Sequence, residues 1–310
     1  MKPATHSPIH LSLPGAFHYE HTLYSHGWCA LLPFSLDTSS NVLRRTITLP
    51  RRRTAVLTFE PQRNHSMRCG IEHRGALRDA DWSVAQQSIR SMFQLDQKLD
   101  AFYRRISPDT RFGWMAQKKT GRMLRGLTFF EDVIKMVLTT NCAWSLTETM
   151  TERLVRRFGT PAGADSPAFP DAEAIADASE AELRSEVKLG YRAPYVLALS
   201  RRVASGVLDI EAFRTSTAPA EELYKELLRL EGVGPYAAGN LLKLLGRFDY
   251  LGLDSWCRAS FSKLHGNGAT VSDAEIERFY AAYDEWKGLV MWLDVTQHWY
   301  AEKFPFLAQT

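Results

Sequence analysis

The stretch Leu230-Glu231-Gly232-Val233-Gly234-Pro235-Tyr236-Ala237-Ala238 decides the reading of this chain. Amphipathic patterns on either side, Glu221 to Leu230 and Tyr236 to Leu245, read as two helices with a very short break. Glycine adopts positive φ without strain and admits another backbone at close range. Val233, between the two glycines, can tuck its side chain under the turn. Pro235 suits the first position of the second helix, where no N–H partner is needed. Such a loop ends at a helix N-terminus whose amides point outward and can bind a phosphate oxygen without touching a base. A Gly-x-Gly joint also serves plain helix packing, so the residues around it carry the distinction.

Shortly after the second helix comes Leu251-Gly252-Leu253-Asp254-Ser255-Trp256-Cys257-Arg258. Asp254 is placed to cap the helix that follows, and a carboxylate there can serve chemistry as well. Hairpin and Asp loop together resemble the helix-hairpin-helix (HhH-GPD) DNA glycosylase superfamily. In that superfamily a Gly/Pro-rich loop and an essential Asp follow the hairpin; here the loop has Gly252 and no Pro before the Asp. Other segments resemble the 8-oxoguanine and 3-methyladenine II branch: Phe93-Gln94-Leu95-Asp96, Thr139-Thr140-Asn141-Cys142-Ala143, Leu189-Gly190-Tyr191-Arg192-Ala193-Pro194-Tyr195 and Gly288-Leu289-Val290-Met291-Trp292-Leu293. The likeness spans most of residues 17–300.

The resemblance implies an α+β chain. A small antiparallel β-sheet lobe, residues 1–90, precedes a mainly α-helical, two-lobed glycosylase domain, residues 91–310, with the hairpin at about 221–246 and the catalytic loop at 251–258. It implies a monofunctional DNA glycosylase, a hydrolase of N-glycosyl bonds that flips a base and leaves an abasic site. Breaking that bond develops positive charge on the sugar, which a carboxylate, Asp254, can stabilise while positioning water. Gly232, Val233 and Gly234 would hold phosphate, and Asn141, Tyr191 and Arg192 would fill or prop open the flipped position. Tyr236, Trp144, Trp256, Met291 and Trp292 would line the base pocket, although large aromatics serve equally as core. Superfamily members that also cut the strand carry a Lys where Tyr236 stands, so lyase activity is not expected. Lys243 lies roughly 10 Å further along the helix axis, too far to substitute. Met291 replaces the usual Gln of the 8-oxoguanine enzymes, and an aromatic pocket favours a cationic alkylated purine. Oxidised bases and hypermodified bases of phage DNA stay open as substrates. A catalytically silent binder of damaged DNA is the alternative of another class, against which Asp254 argues.

Composition limits the remaining classes. Hydrophobic residues make up 45% and charged residues 24%, as in ordinary globular proteins. The four cysteines, Cys29, Cys69, Cys142 and Cys257, are too far apart for an iron–sulfur or zinc site, so no metal and no cofactor is expected. Residues 41–125 hold 18 Lys+Arg against 7 Asp+Glu, a balance of +11; with +3 overall, the rest carries −8. A basic section on an acidic chain suits a polyanionic partner, here double-stranded DNA with a modified base, though a solvated basic face reads the same way. No apolar run approaches the roughly 20 residues of a membrane span, and the N-terminus does not read as a signal peptide. A cytoplasmic monomer, nucleoid-associated in a bacterium, is expected.

Overall fold

A computed structural model describes residues 5–163 and 166–302. Five strands form one antiparallel sheet: β1 (Thr5–Ile9), β2 (Phe34–Asp37), β3 (Val42–Leu49), β4 (Arg53–Pro61) and β5 (Met67–His73), in the order β1-β5-β4-β3-β2. β4 contains the β-former run Thr54 to Glu60, and Leu43, Ile47, Leu57, Phe59 and Ile71 have no exposed surface. β1 carries no strand signal of its own. It is a five-residue edge strand with Pro8 opposite Gly70, and an edge is where a strand tolerates proline.

Among the described residues, those after the sheet form helices and loops, which makes the chain α+β as expected. Helix Tyr19–Leu23 and a 3-10 turn at Gly27–Ala30 lie between β1 and β2. The acidic segment Asp171 to Glu186 is two helices, Ala172–Ala176 and Glu180–Ser185. The second begins afresh because the Ser179 hydroxyl accepts the Glu182 N–H at 3.1 Å.

The chain divides into two compact units. The first comprises residues up to Asp96 together with Leu124–Thr215; the second comprises Gln97–Met123 and residues from Ser216 onward. The sheet expected within 1–90 falls in the first unit and the hairpin in the second.

The first unit is built around helix Phe129–Thr139, buried from Phe129 through Leu138. Thr128 caps it, and the Glu211 carboxylate accepts the Phe129 and Phe130 N–H groups at 2.9 and 3.0 Å. Three of its polar residues are fully buried and each is answered. Glu131 takes Arg45 of β3 in a two-pronged pair at 3.0 and 2.5 Å and Lys135 at 2.7 Å. Those two cations hold the Glu131 carboxyl down at about 2 against the cost of its burial. Asp132 accepts the Trp28 indole N–H at 2.8 Å and the Arg214 guanidinium at 2.9 Å. Removing one member of such a buried set costs about 3–5 kcal/mol, because it strands the others.

Part of the basic section of the sequence is paired inside this unit. Arg44, Arg45, Arg53, Arg68 and Arg90 pair with Glu72, Glu131, Asp81, Glu60 and Asp96. Four of these five acids lie within 41–125 and are already counted in its +11 balance, so among these pairs only Arg45–Glu131 draws on the excess.

Candidate active site

In the second unit, helices Ala220–Leu227 and Pro235–Leu244 flank the hairpin. Gly232 has φ +77° and Val233 is buried beneath the turn, its N–H donating to Leu230 O at 3.1 Å. Gly234, with φ −99°, is the N-cap, and Pro235 opens the helix. The space beside Gly234 is open: a Cβ there would meet nothing within 4 Å. First-turn amides have no intrahelical acceptor, so this corner suits an anion.

The loop carrying Asp254 rests directly on the second hairpin helix. A Cβ on Gly239 would lie 2.7 Å from Gly252 Cα, so helix and loop backbones touch. Gly252 itself has φ +61°, and its own Cβ would meet Asn240 and Lys243. The Asn240 amide bridges the two elements, donating to Tyr236 O at 2.9 Å and Gly252 O at 3.0 Å. Lys243 Nζ donates to Leu251 O at 2.5 Å. On the other sides Tyr250 stacks on Tyr224, ring centroids 4.0 Å apart, and the Gly288 N–H donates to Phe248 O at 2.7 Å. None of Gly239, Asn240, Tyr250 and Gly288 stands out in the sequence as a site residue; the contact of glycines 13 residues apart was the available signal.

Asp254 is part-exposed and caps helix Ser255–His265, its Oδ1 accepting the Cys257 N–H at 2.7 Å. The cap expected from Asp-Ser-Trp-Cys is therefore real, and it fixes the carboxylate by one oxygen. Burial pushes the Cys257 thiol up to about 12, so it stays neutral behind the cap.

The candidate pocket residues separate. Trp256 and Trp292 are half-buried and form a triangle with Trp299, centroids 5.1 to 6.2 Å apart. Tyr236 is half-buried at the start of the hairpin helix. Met291 has no exposed surface at all, so it packs as core. Trp144 belongs to the first unit, where it is 40% exposed; it opens helix Trp144–Phe158, packs against Gly27 and donates to Glu148 at 2.9 Å.

The first unit gathers Asn141, Tyr191 and Arg192 into one cluster. Asn141 is exposed with φ +47°, just past helix Phe129–Thr139. Its amide donates to the Tyr191 hydroxyl at 3.3 Å, and that hydroxyl donates to Thr140 O at 3.2 Å. Tyr191 is 46% exposed. Arg192 differs from expectation: it is buried, donates to Thr140 O and lies 4.5 Å from the Tyr191 ring. It braces the turn from behind and does not itself reach outward.

His18, Glu20 and His65 are the one group of three potential metal ligands among the described residues. Glu20 Oε2 lies 3.3 Å from His18 Nδ1 and 3.6 Å from His65 Nδ1. The two imidazoles stack within 13° of parallel. Their in-plane lone pairs then run side by side instead of converging on one ion. The four cysteines are free thiols.

A profile described as HhH-GPD superfamily base excision DNA repair protein matches residues 134–286. Those residues hold the Asn141–Tyr191 cluster, the hairpin and Asp254 in one segment. That segment of the chain is of the HhH-GPD superfamily. The superfamily segment ends at Trp286, before Trp292, and begins after the sheet. A DNA-3-methyladenine glycosylase of Bacillus subtilis is 26% identical over 164 residues, which is 52% of this chain and 54% of that one. The chain spans little more than half the length of the curated relatives it matches. In fold it is similar to a 3-methyladenine DNA glycosylase from Archaeoglobus fulgidus, with TM-score 0.70 and 21% identity over 94% of this chain and 98% of that one. It is likewise similar to the 8-oxoguanine glycosylase/lyase of Clostridium acetobutylicum, with TM-score 0.69 and 14% identity over 95% and 96% of the two chains. No helix among the described residues is long and apolar enough to cross a membrane.

Proposed function

We propose that this protein is a monofunctional DNA glycosylase that hydrolyses the N-glycosidic bond of an alkylated purine and leaves an abasic site. The observation that carries the reading is Asp254, a part-exposed carboxylate held by one oxygen on a loop clamped to a phosphate-type hairpin. The capped oxygen fixes its direction, and the part-exposed face of the carboxylate acts at the sugar. A negative group held this way stabilises an oxocarbenium-like sugar without reorganising during the reaction. The hairpin corner at Gly234 grips the DNA backbone, and Asn141 with Tyr191 occupies the place of the flipped nucleotide. The half-buried Trp256, Trp292 and Trp299 offer π faces to a cationic base. Naming of the similar Bacillus and Archaeoglobus proteins as 3-methyladenine glycosylases supports the same substrate class.

The test is a panel of duplexes with alkylated, oxidised, deaminated and hypermodified bases, read by alkaline cleavage with wild type and Asp254→Asn. Excision should be greatest on alkylated purines. Asp254→Asn should lose it by at least about a hundredfold while still binding duplex. An Asn variant of wild-type turnover refutes the role of Asp254, and binding without excision anywhere in the panel supports a silent damage binder.

A further inference from the structure

A buried cation lies under the loop that carries Asp254. Lys243 is 1% exposed and sits in helix Pro235–Leu244, which has no other charged residue. Its Nζ reaches Leu251 O at 2.5 Å and Asn240 Oδ1 at 3.3 Å, neither of them a carboxylate. Burial brings this ammonium down to about 8; Cys257, from helix Ser255–His265, and Asp254, from the loop, face it and act the other way. Cys257 is neutral through that range. A leucine or methionine would fill the space without the desolvation cost of a charge. The lysine supplies what they lack: a donor to the carbonyl three residues before Asp254, and a positive charge beneath the loop. A Cβ on Gly252 would lie 3.0 Å from Nζ, so the amine is also the floor on which the loop rests.

We propose that Lys243 is a positioning residue for Asp254, its ammonium holding the Leu251–Asp254 segment from beneath so that the carboxylate keeps its direction. The inference rests on Asp254 being the catalytic carboxylate. It assigns a role to a lysine that cannot be the nucleophile, since its amine is spent on the loop's inner side. Losing the proton removes the charge and weakens the grip, so the chemical step should slow as pH rises through about 8.

Two measurements test it on the full chain. The first is single-turnover release of methylated purines from DNA methylated with dimethyl sulfate, across neutral to alkaline pH. The second is hydrogen exchange of amides 251–254 in the free protein. In wild type the rate should fall through about pH 8, and loop exchange should rise beyond its intrinsic base-catalysed increase. Lys243→Met should be slower by about ten- to a hundredfold, the scale of a slight misplacement of a reacting group. It should bind a duplex with a tetrahydrofuran abasic analogue as wild type does, lack the alkaline fall, and exchange its loop amides quickly at every pH. Should Lys243→Met not fold, Lys243→Gln keeps a donor without the charge and must also lack the alkaline fall. Wild-type loop exchange in the Met variant, or an alkaline fall retained in either variant, overturns the proposal. An active Asp254→Asn run alongside defeats the reading of the site itself. An inactive Asp254→Asn beside a Lys243→Met of wild-type rate and loop exchange defeats this proposal alone. If methylated DNA is not turned over, loop exchange decides by itself.

Discussion

The Tyr191 hydroxyl lies 3.3 Å from the Asn141 side-chain amide, and both residues are exposed. Asn141 sits in the left-handed region at φ +47°, a conformation that asparagine tolerates better than most residues. If this pair enters the duplex, alanine at Asn141 or Tyr191 should slow excision from duplex DNA about tenfold, equal to about 1.4 kcal/mol. Excision from single-stranded DNA should change little, since no gap needs filling there. Equal losses on both substrates would mark the pair as structural. Arg192→Ala should behave in that second way, because it braces Thr140 from inside.

The hairpin grip can be tested without disturbing the fold. Gly234 has an ordinary negative φ, and nothing lies within 4 Å of where its Cβ would stand. Gly234→Asp should therefore fold normally while placing a negative charge where a phosphate would sit. Duplex affinity should drop about tenfold or somewhat less, for every sequence alike and most at low salt. Unchanged binding in low-salt titrations would remove the hairpin from the interface.

On the proposed reading, the phenol of Tyr236 sets the expected product. A phenol cannot form an imine with the sugar, so the strand should stay intact until heated with alkali. Borohydride should trap no adduct at a yield comparable to product. Tyr236→Lys should introduce trapping, provided the first turn of this helix faces the sugar. Strand cleavage by wild type without alkali would point to another amine as nucleophile.

His26 links stability to pH in the first unit. Its Nε2 lies 2.5 Å from the Leu124 carbonyl, and burial lowers the imidazole to about 4. The folded state thus rejects a proton that the unfolded chain accepts near 6.5. Stability should be complete above about 6.5 and decline as pH falls toward 4, by about 1–3 kcal/mol. Thermal melts across this range should show the slope, and His26→Gln should flatten it. A His26→Gln variant with the wild-type slope would assign the acid sensitivity elsewhere.

What the sequence discloses is what is local. The hairpin is nine consecutive letters, and the Asp254 cap needs only the three residues that follow it, so both are legible in the chain itself. Arg45 and Glu131 are 86 residues apart, and nothing in the β3 alternation marks Arg45 as a buried partner for a helix. Lys243 reads as a surface lysine until Leu251 is folded back over it. Met291 and Trp292 are neighbours in one motif, yet the helix turns one into the core and leaves the other part-exposed. The resemblance names the segment in such cases, and only packing tells which side chain faces out.

The Arg45–Glu131–Lys135 set ties helix Phe129–Thr139 to the sheet. Glu131 and Lys135 sit on the helix that leads into the Asn141 turn, while their third member is contributed by the sheet. Stripping away the sheet would bare that helix's apolar surface and leave an acid and a base facing water where an enclosed guanidinium had been. A chain shortened by its N-terminal lobe should therefore fold poorly unless Glu131 and its neighbours are changed as well. The sheet and the helix leading to the Asn141 turn thus share one buried charge set, although the sheet lies outside the recognised 134–286 segment.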